Sequence, residues 1–296
     1  PHSPYQDREQ NRFINGAASI GDSWVEDVLK ASPNRICDRL PPAEDLKLLH
    51  GLYLGDVATA DAKLGKIAAI AQEEAAEGPL ILVATADHGE HLGESRLMGH
   101  QFTVRNPALH VPLIVSGLPA AVGAIIERAV EIREIHHSLL CWALGESCEA
   151  SLPIMSKGSH VESEGREPIF SIYSDSIARL PEWVVDQLDI PDHQKFVYRA
   201  RSKCSPRDRV FGEMVSMIRY PMKITWFAEN DPVLHDLSWD PKERFDQMES
   251  QPLLAAKLRE ELDEFVRANM TERDVQDLPD LSEENVRALK SHGYIE

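Results

Sequence analysis

Seven residues, Leu80 to Ala86, make an apolar run rich in β-formers, bracketed by Gly78-Pro79 and by Asp87-His88-Gly89. Its length and composition are those of a strand buried on both faces, and it stops at a carboxylate, an imidazole and a glycine. In open α/β sheets that strand end is where ligands bind. Asp87 offers a hard oxygen and His88 a borderline nitrogen to a divalent cation. Gly89 lets the backbone turn sharply enough for both to face one point.

The neighbouring pattern extends this reading. From Ala43 to Glu77 apolar residues (Leu46, Leu49, Leu52, Tyr53, Val57, Ala60, Leu64, Ile67, Ile70) recur at helical spacing, and Gly78-Pro79 ends the run. His110 to Ser116 reads as a second strand with its proline near the start, and Ile135 to Leu144 as a helix. Helix, strand, loop and strand in that order predict crossover connections and a largely parallel sheet.

Residues 145–165 turn polar and small, as in a linker or surface loop. Beyond them, short strand-like runs occur at Ile169–Tyr173, Lys195–Ala200, Val210–Arg219 and Lys223–Phe227. The last two are joined through Tyr220-Pro-Met222 as an antiparallel hairpin, so a small appended sheet is the simplest reading. Leu253 to Ala268 has strong helical periodicity, and Ser282 caps a final short helix. The division expected is residues 1–160 for the site-bearing α/β part and 161–296 for an α+β part.

A chain of 296 residues with 43% apolar content can bury a substantial core. Its 49 acidic against 31 basic residues give a net charge of -18, which argues against a nucleic-acid or anionic-membrane surface. No apolar stretch is long enough for a membrane span. Cys37, Cys141, Cys148 and Cys204 show no zinc-like pairing and are expected to be mostly plain thiols. The first residues carry no signal-peptide pattern, and compartment and oligomeric state are unreadable.

Taken in order, several blocks resemble the sulfatase family of the alkaline-phosphatase-like superfamily. They are Pro1-His-Ser-Pro-Tyr5, Leu52 to Gly65, Thr85-Ala-Asp-His-Gly-Glu90 with Gly99-His100, Leu109-His-Val-Pro-Leu-Ile-Val115, His235 to Glu243, and Leu289-Lys-Ser-His-Gly-Tyr294. The resemblance implies an α/β fold, a mixed and largely parallel sheet between helices, incomplete here, with a small C-terminal antiparallel sheet and helix. It implies one divalent metal ion held by two upstream aspartates, Asp87 and His88. Oxygen-rich shells favour Ca2+, while His88 shifts the preference toward Mn2+ or Zn2+. His2 and His100 match positions that in the family contact the sulfate group or protonate the leaving oxygen. The substrate implied is a small-molecule or carbohydrate sulfate ester.

The family's nucleophile, a cysteine or serine converted to formylglycine in a Cys/Ser-x-Pro-x-Arg motif, does not precede Pro1. Cys204-Ser-Pro-Arg-Asp-Arg209 imitates it, but Asp208 stands where the motif needs arginine. The expectation is therefore a C-terminal portion of a sulfatase, without a nucleophile and without turnover alone. The rival readings are a phosphodiesterase, phosphonate monoester hydrolase or phosphoryl transferase on the same fold, and a decayed remnant with an exposed apolar patch.

Among the remaining polar residues, Glu90 and Glu94 are either partners orienting His88 or His100, or solvated surface. Arg96 and Arg105 either face an anionic substrate or form surface salt bridges. His91 and His110 match no role, and His136-His137 on a helix is structural or exposed. A histidine titrates near neutrality and can serve as a cation or a general acid. The pH optimum of the full-length enzyme is therefore expected to follow His100, and an unchanged profile in His100→Gln would contradict this.

Overall fold

The structure is a computed structural model that describes residues 13, 42–76, 78–117, 125, 129–144, 167–174, 209–210 and 212–270. The Pro1–Tyr5 block with His2, the 145–165 segment, the Lys195–Ala200 strand, the Cys204 decoy, Ser282 and the Leu289–Tyr294 block lie outside the described residues. So do Cys37 and Cys148.

Helix α1 runs from Ala43 to Ala75 and buries Leu49, Leu52 and Asp56 on its first turns, while Leu64, Ile67 and Ile70 farther along are exposed. The chain then enters β1 (Leu82–Thr85), a tight hairpin of β2 (His91–Leu92) and β3 (Met98–Gly99), the one-turn helix α2 (Asn106–Leu109) and β4 (Leu113–Ser116). Helix α3 (Arg133–Leu144) follows. The second half contributes β5 (Ile169–Tyr173), β6 (Met214–Arg219), β7 (Met222–Phe227), β8 (Asn230–Asp236) and helix α4 (Pro252–Asn269). No helix among the described residues is long and apolar enough to cross a membrane.

Every ladder among the described residues is antiparallel, including β1 with β4, where Leu82 faces Ser116 and Thr85 faces Leu113. The parallel pairing expected for these two strands is thus corrected. A parallel return needs a crossover of a dozen or more residues, usually a helix. Here the 86–112 connection carries a hairpin of two-residue strands and a single helical turn but no crossover helix, and it brings the chain back the opposite way. Nor is β1 buried on both faces: Leu82 to Ala84 are half-buried and Thr85 is exposed.

The four-stranded sheet β5-β6-β7-β8 is the expected appended sheet, with Tyr220-Pro221 at the β6–β7 turn. Alternation sorts its residues onto two faces. Val215, Met217, Met222, Ile224 and Leu234 pack against Ala255, Leu258 and Leu262 of α4. That helix begins with a proline in its first turn, where a missing amide donor costs nothing, and its apolar residues recur at three- and four-residue spacing. Phe170 of β5 stacks on Phe265 at 3.7 Å between ring centroids.

The opposite face carries Met214, Ser216, Lys223, Thr225, Phe227, Val233 and His235, and all of them are buried. Met214, Phe227 and Val233 cluster with Val104, and Lys223 reaches into the 104–106 segment. The site-bearing half therefore lies against the second face of this sheet.

Truncating a core residue of α4 leaves a cavity that its packed surroundings cannot close, at a cost of about 2–5 kcal/mol. Leu262→Ala is expected to lower unfolding stability by that amount in urea titrations, while Leu253→Ala, 88% exposed, stays within about 0.5 kcal/mol. Equal effects would contradict the packing of α4 on the sheet.

Candidate functional site

Beyond the end of β1 the chain cannot spread, because α2 lies directly against it. The Gly89 amide donates to the Ala108 carbonyl at 2.7 Å, and a Cβ on Gly89 would stand 2.1 Å from the Pro107 carbonyl oxygen. Only glycine fits there, so its place in Asp87-His88-Gly89 is fixed by close approach and not by a left-handed φ.

Asp87 projects into solvent with its side chain 71% exposed. Its Oδ1 accepts the His88 amide at 3.0 Å, and its Oδ2 lies 3.7 Å from His88 Nε2. Its slight burial raises the carboxyl pKa. The His88 amide, the His88 ring, its own amide and the His100 ring outweigh this and hold it below the usual carboxylate range. The His88 Nδ1–H donates to the Gly89 carbonyl at 3.0 Å. That bond fixes the tautomer that puts the ring's lone pair on Nε2, the arrangement in which protein imidazoles bind metals.

Two donor atoms side by side on one divalent ion stand roughly 3–3.5 Å apart. Asp87 Oδ2 and His88 Nε2 come close to that separation without rearrangement, so the pair fits a shared cation. The other grouping able to hold an ion is His88, Glu90 and His100, whose donor atoms lie within 4.8 Å of one another. The His88 and His100 rings, however, are stacked at 4.0 Å with only 27° between their planes. Lone pairs lie in the ring plane, so near-parallel rings point theirs side by side, and one ring must turn before a single ion takes both.

His100 stands on the short β2–β3 hairpin side of the site, held from behind by Glu90. The Glu90 side chain is 3% exposed, and its Oε1 accepts from His100 Nδ1 at 3.0 Å. Of the two readings left open for Glu90, this contact is the orienting one. Glu94 has different work: its Oε2 accepts the Leu92 amide and its Oε1 the Lys242 ammonium, which closes the hairpin and ties it to the turn after β8.

Arg105 does not face a substrate space but is buried beside Glu243, 3.8 Å away. Arg96 and His110 are exposed. On α3, His137 Nε2 lies 3.6 Å from Cys141 Sγ. Cys141 is disulfide-bonded, which corrects the expectation of plain thiols for it; linear spacing does not show which sulfurs meet in space. His2 lies outside the described residues, so its distance from this cluster is not part of the geometry.

Two features had no reading from the sequence. His91 is fully buried, its Nδ1–H donating to the Glu94 carbonyl at 3.1 Å and its Nε2 accepting from Thr103 Oγ1 at 3.3 Å. The second is the ionic cluster of Lys223, Glu243 and Arg105. Its one advance signal is a lysine set among apolar neighbours in Met222-Lys-Ile-Thr-Trp-Phe227.

The fold is like that of alkaline-phosphatase-like proteins. Residues 1–145 match the model of the Sulfatase family. Over 231 residues, 73% of the chain, it is 24% identical to the multifunctional alkaline phosphatase superfamily protein PehA of Trinickia caryophylli, covering 39% of that protein. The phosphonate monoester hydrolase of Agrobacterium radiobacter superposes with a TM-score of 0.54 at 21% identity, over 82% of this chain and 45% of that one. A protein solved with its substrate D-glucosamine-2-N,6-O-disulfate gives 0.55 at 16% identity, over 84% and 46%. The chain thus spans less than half the length of these relatives.

Burial pulls the His91 imidazole down to about 4, assisted by Arg105 and opposed by the Glu94 charge, the Glu94 carbonyl and Glu243. A histidine depressed on folding contributes stability that is fully present above its ordinary value near 6.5 and is lost as pH falls toward about 4. The contribution is about 3 kcal/mol across that window. His91→Gln is expected to flatten the fall in urea-unfolding stability between pH 6.5 and 4. A slope identical to that of the unaltered protein would contradict the buried neutral imidazole.

Proposed function

We propose that the full-length protein hydrolyses sulfate esters, and that this chain supplies the Asp87–His88 half of its metal site and the His100 side of its leaving-group site. The observation that carries the reading is the His88 ring, locked by its own Nδ1–H bond with Nε2 turned toward the Asp87 carboxylate. The sulfatase match of residues 1–145 supports it. Residues 1–160 form the catalytic part and 161–296 its supporting part. The nucleophile, a formylglycine, comes from residues outside this chain. The exposed Leu64, Ile67 and Ile70 on α1 are consistent with further protein covering that helix.

The residues fit one divalent cation, Ca2+ before Mn2+ or Zn2+ because most of its ligands are oxygens. When bound, it draws charge from the sulfuryl oxygens and lowers the cost of the anionic transition state. Asp87 and His88 would hold it through a carboxylate oxygen and an imidazole nitrogen. As the S–O ester bond breaks, His100 Nε2 delivers a proton to the departing alcohol oxygen, while Nδ1–H stays bonded to Glu90. The burial of Glu90 keeps that bond out of competition with water. Sulfated sugars are the substrate class supported by the structural neighbour with a sulfated glucosamine, and small sulfate esters share the same chemistry at sulfur.

A phosphonate monoester hydrolase is the second reading, favoured by the structural likeness to enzymes of that activity from Agrobacterium radiobacter and Silicibacter pomeroyi. Sulfate and phosphonate monoesters are both tetrahedral monoanions, but a carbon substituent on the phosphonate stands where the sulfate has a third unesterified oxygen, so matched aryl esters separate the two.

With the full-length protein, kcat/KM on an aryl sulfate is expected to exceed that on the matched phenyl phosphonate monoester. Asp87→Asn is expected to lower the former at least a hundredfold and to weaken Ca2+ binding, measured by calorimetry, at least tenfold. Faster phosphonate hydrolysis would transfer the reading to phosphoryl chemistry. Full activity in Asp87→Asn would overturn the metal assignment.

A further inference from the structure

We propose that Glu243, on the turn that follows β8, is a positioning residue for the Asp87–His88 pair, acting through the one-turn helix α2. This rests on the reading of Asp87 and His88 as the functional pair. Glu243 Oε1 accepts the Asn106 amide at 2.8 Å and the Lys223 ammonium at 2.6 Å. The same ammonium donates to the Val104 carbonyl at 2.6 Å, Asn106 Nδ2 donates to the Pro241 carbonyl at 3.0 Å, and Arg105 stands 3.8 Å from Glu243 Oε2. Residues 104, 105 and 106 are thus each held by an atom of the C-terminal half.

These three residues lead into and begin α2, whose four residues are far too few to be helical on their own. Its place is set by what grips its first residues. Its other end carries the Pro107 and Ala108 carbonyls that press on Gly89 and accept its amide. Gly89 follows His88 directly, so a shift of α2 is passed to the two donor atoms through a contact with no slack. Stability alone does not call for this arrangement, because apolar replacement of a buried ion pair is often neutral or stabilising. What an apolar pair cannot do is hold a backbone amide and a carbonyl of the 104–106 segment at fixed points.

The test is amide hydrogen exchange by NMR on this chain carrying Lys223→Met with Glu243→Leu, together with Mn2+ titration of the full-length protein and its Asp87→Asn variant. The expected result is a cooperative melt near that of the unaltered chain, unchanged protection at Val215 and Ile224, and exchange at Gly89 accelerated at least tenfold. Gly89 protection equal to that of the unaltered chain in the folded double variant would overturn the proposal. If the double variant does not fold, Asn106→Ala removes the bond to Pro241 and leaves the ion pair intact. Gly89 exchange must then rise severalfold, and unchanged protection overturns the proposal equally. The two readings separate cleanly. Mn2+ binding by the full-length protein that is unchanged in Asp87→Asn speaks against the metal pair, whereas the Gly89 response alone decides the positioning.

Discussion

The contact between Lys223 and Glu243, both removed from solvent, is the constraint on which the rest of the described structure depends. Taking two charges out of water costs several kcal/mol per ion, and further bonds offset that cost, from Lys223 to the Val104 carbonyl and from the Asn106 amide to Glu243. Glu243 is kept below the usual carboxylate range: burial works against ionisation, but Lys223, Arg105 and His235 outweigh it. Burial pulls Lys223 the other way, and the Glu243 charge opposes that pull. Removing one partner strands the other, at a cost of about 3–5 kcal/mol.

That cost is tied to function by geography. The sheet β5–β8 has an apolar face served by α4 and a mixed face on which the strand-end site is mounted. The hairpin β2–β3 is clamped to the same region by Glu94 and Lys242, and its buried His91 braces the Thr103 side of the loop. His88 and His100, brought from opposite ends of the hairpin, end up stacked, with their Nδ1 atoms anchored to a carbonyl and a carboxylate. Both rings are therefore held through their Nδ1 atoms, which is what a preorganised site requires.

Much of this was legible in the sequence. The periodicity of α1 and α4, the β6–β7 hairpin and the Asp87-His88-Gly89 strand end are local signals, and each appears where its pattern placed it. What failed were inferences about partners. An unbroken apolar run says that a strand dislikes water, not how many layers cover it, so β1 was expected to be sandwiched and parallel. Lys223, Thr225 and His235 alternate with apolar residues as in a sheet with one wet face, yet that face is dry because a segment more than a hundred residues earlier in the chain packs on it. Glu243 belonged to a recognisable block, but its bond to Asn106 spans 137 residues and has no local signature. Glu90 and Glu94 looked equivalent, and only the fold turned one toward His100 and the other toward Lys242.

The most direct measurement is anomalous diffraction from crystals of the full-length protein grown with Mn2+. A single peak bonded to both Asp87 Oδ2 and His88 Nε2, at about 2.0–2.4 Å from each, is the predicted result. A peak between Glu90 and His100, or none within reach of Asp87, would contradict a metal-dependent ester hydrolase built on this pair.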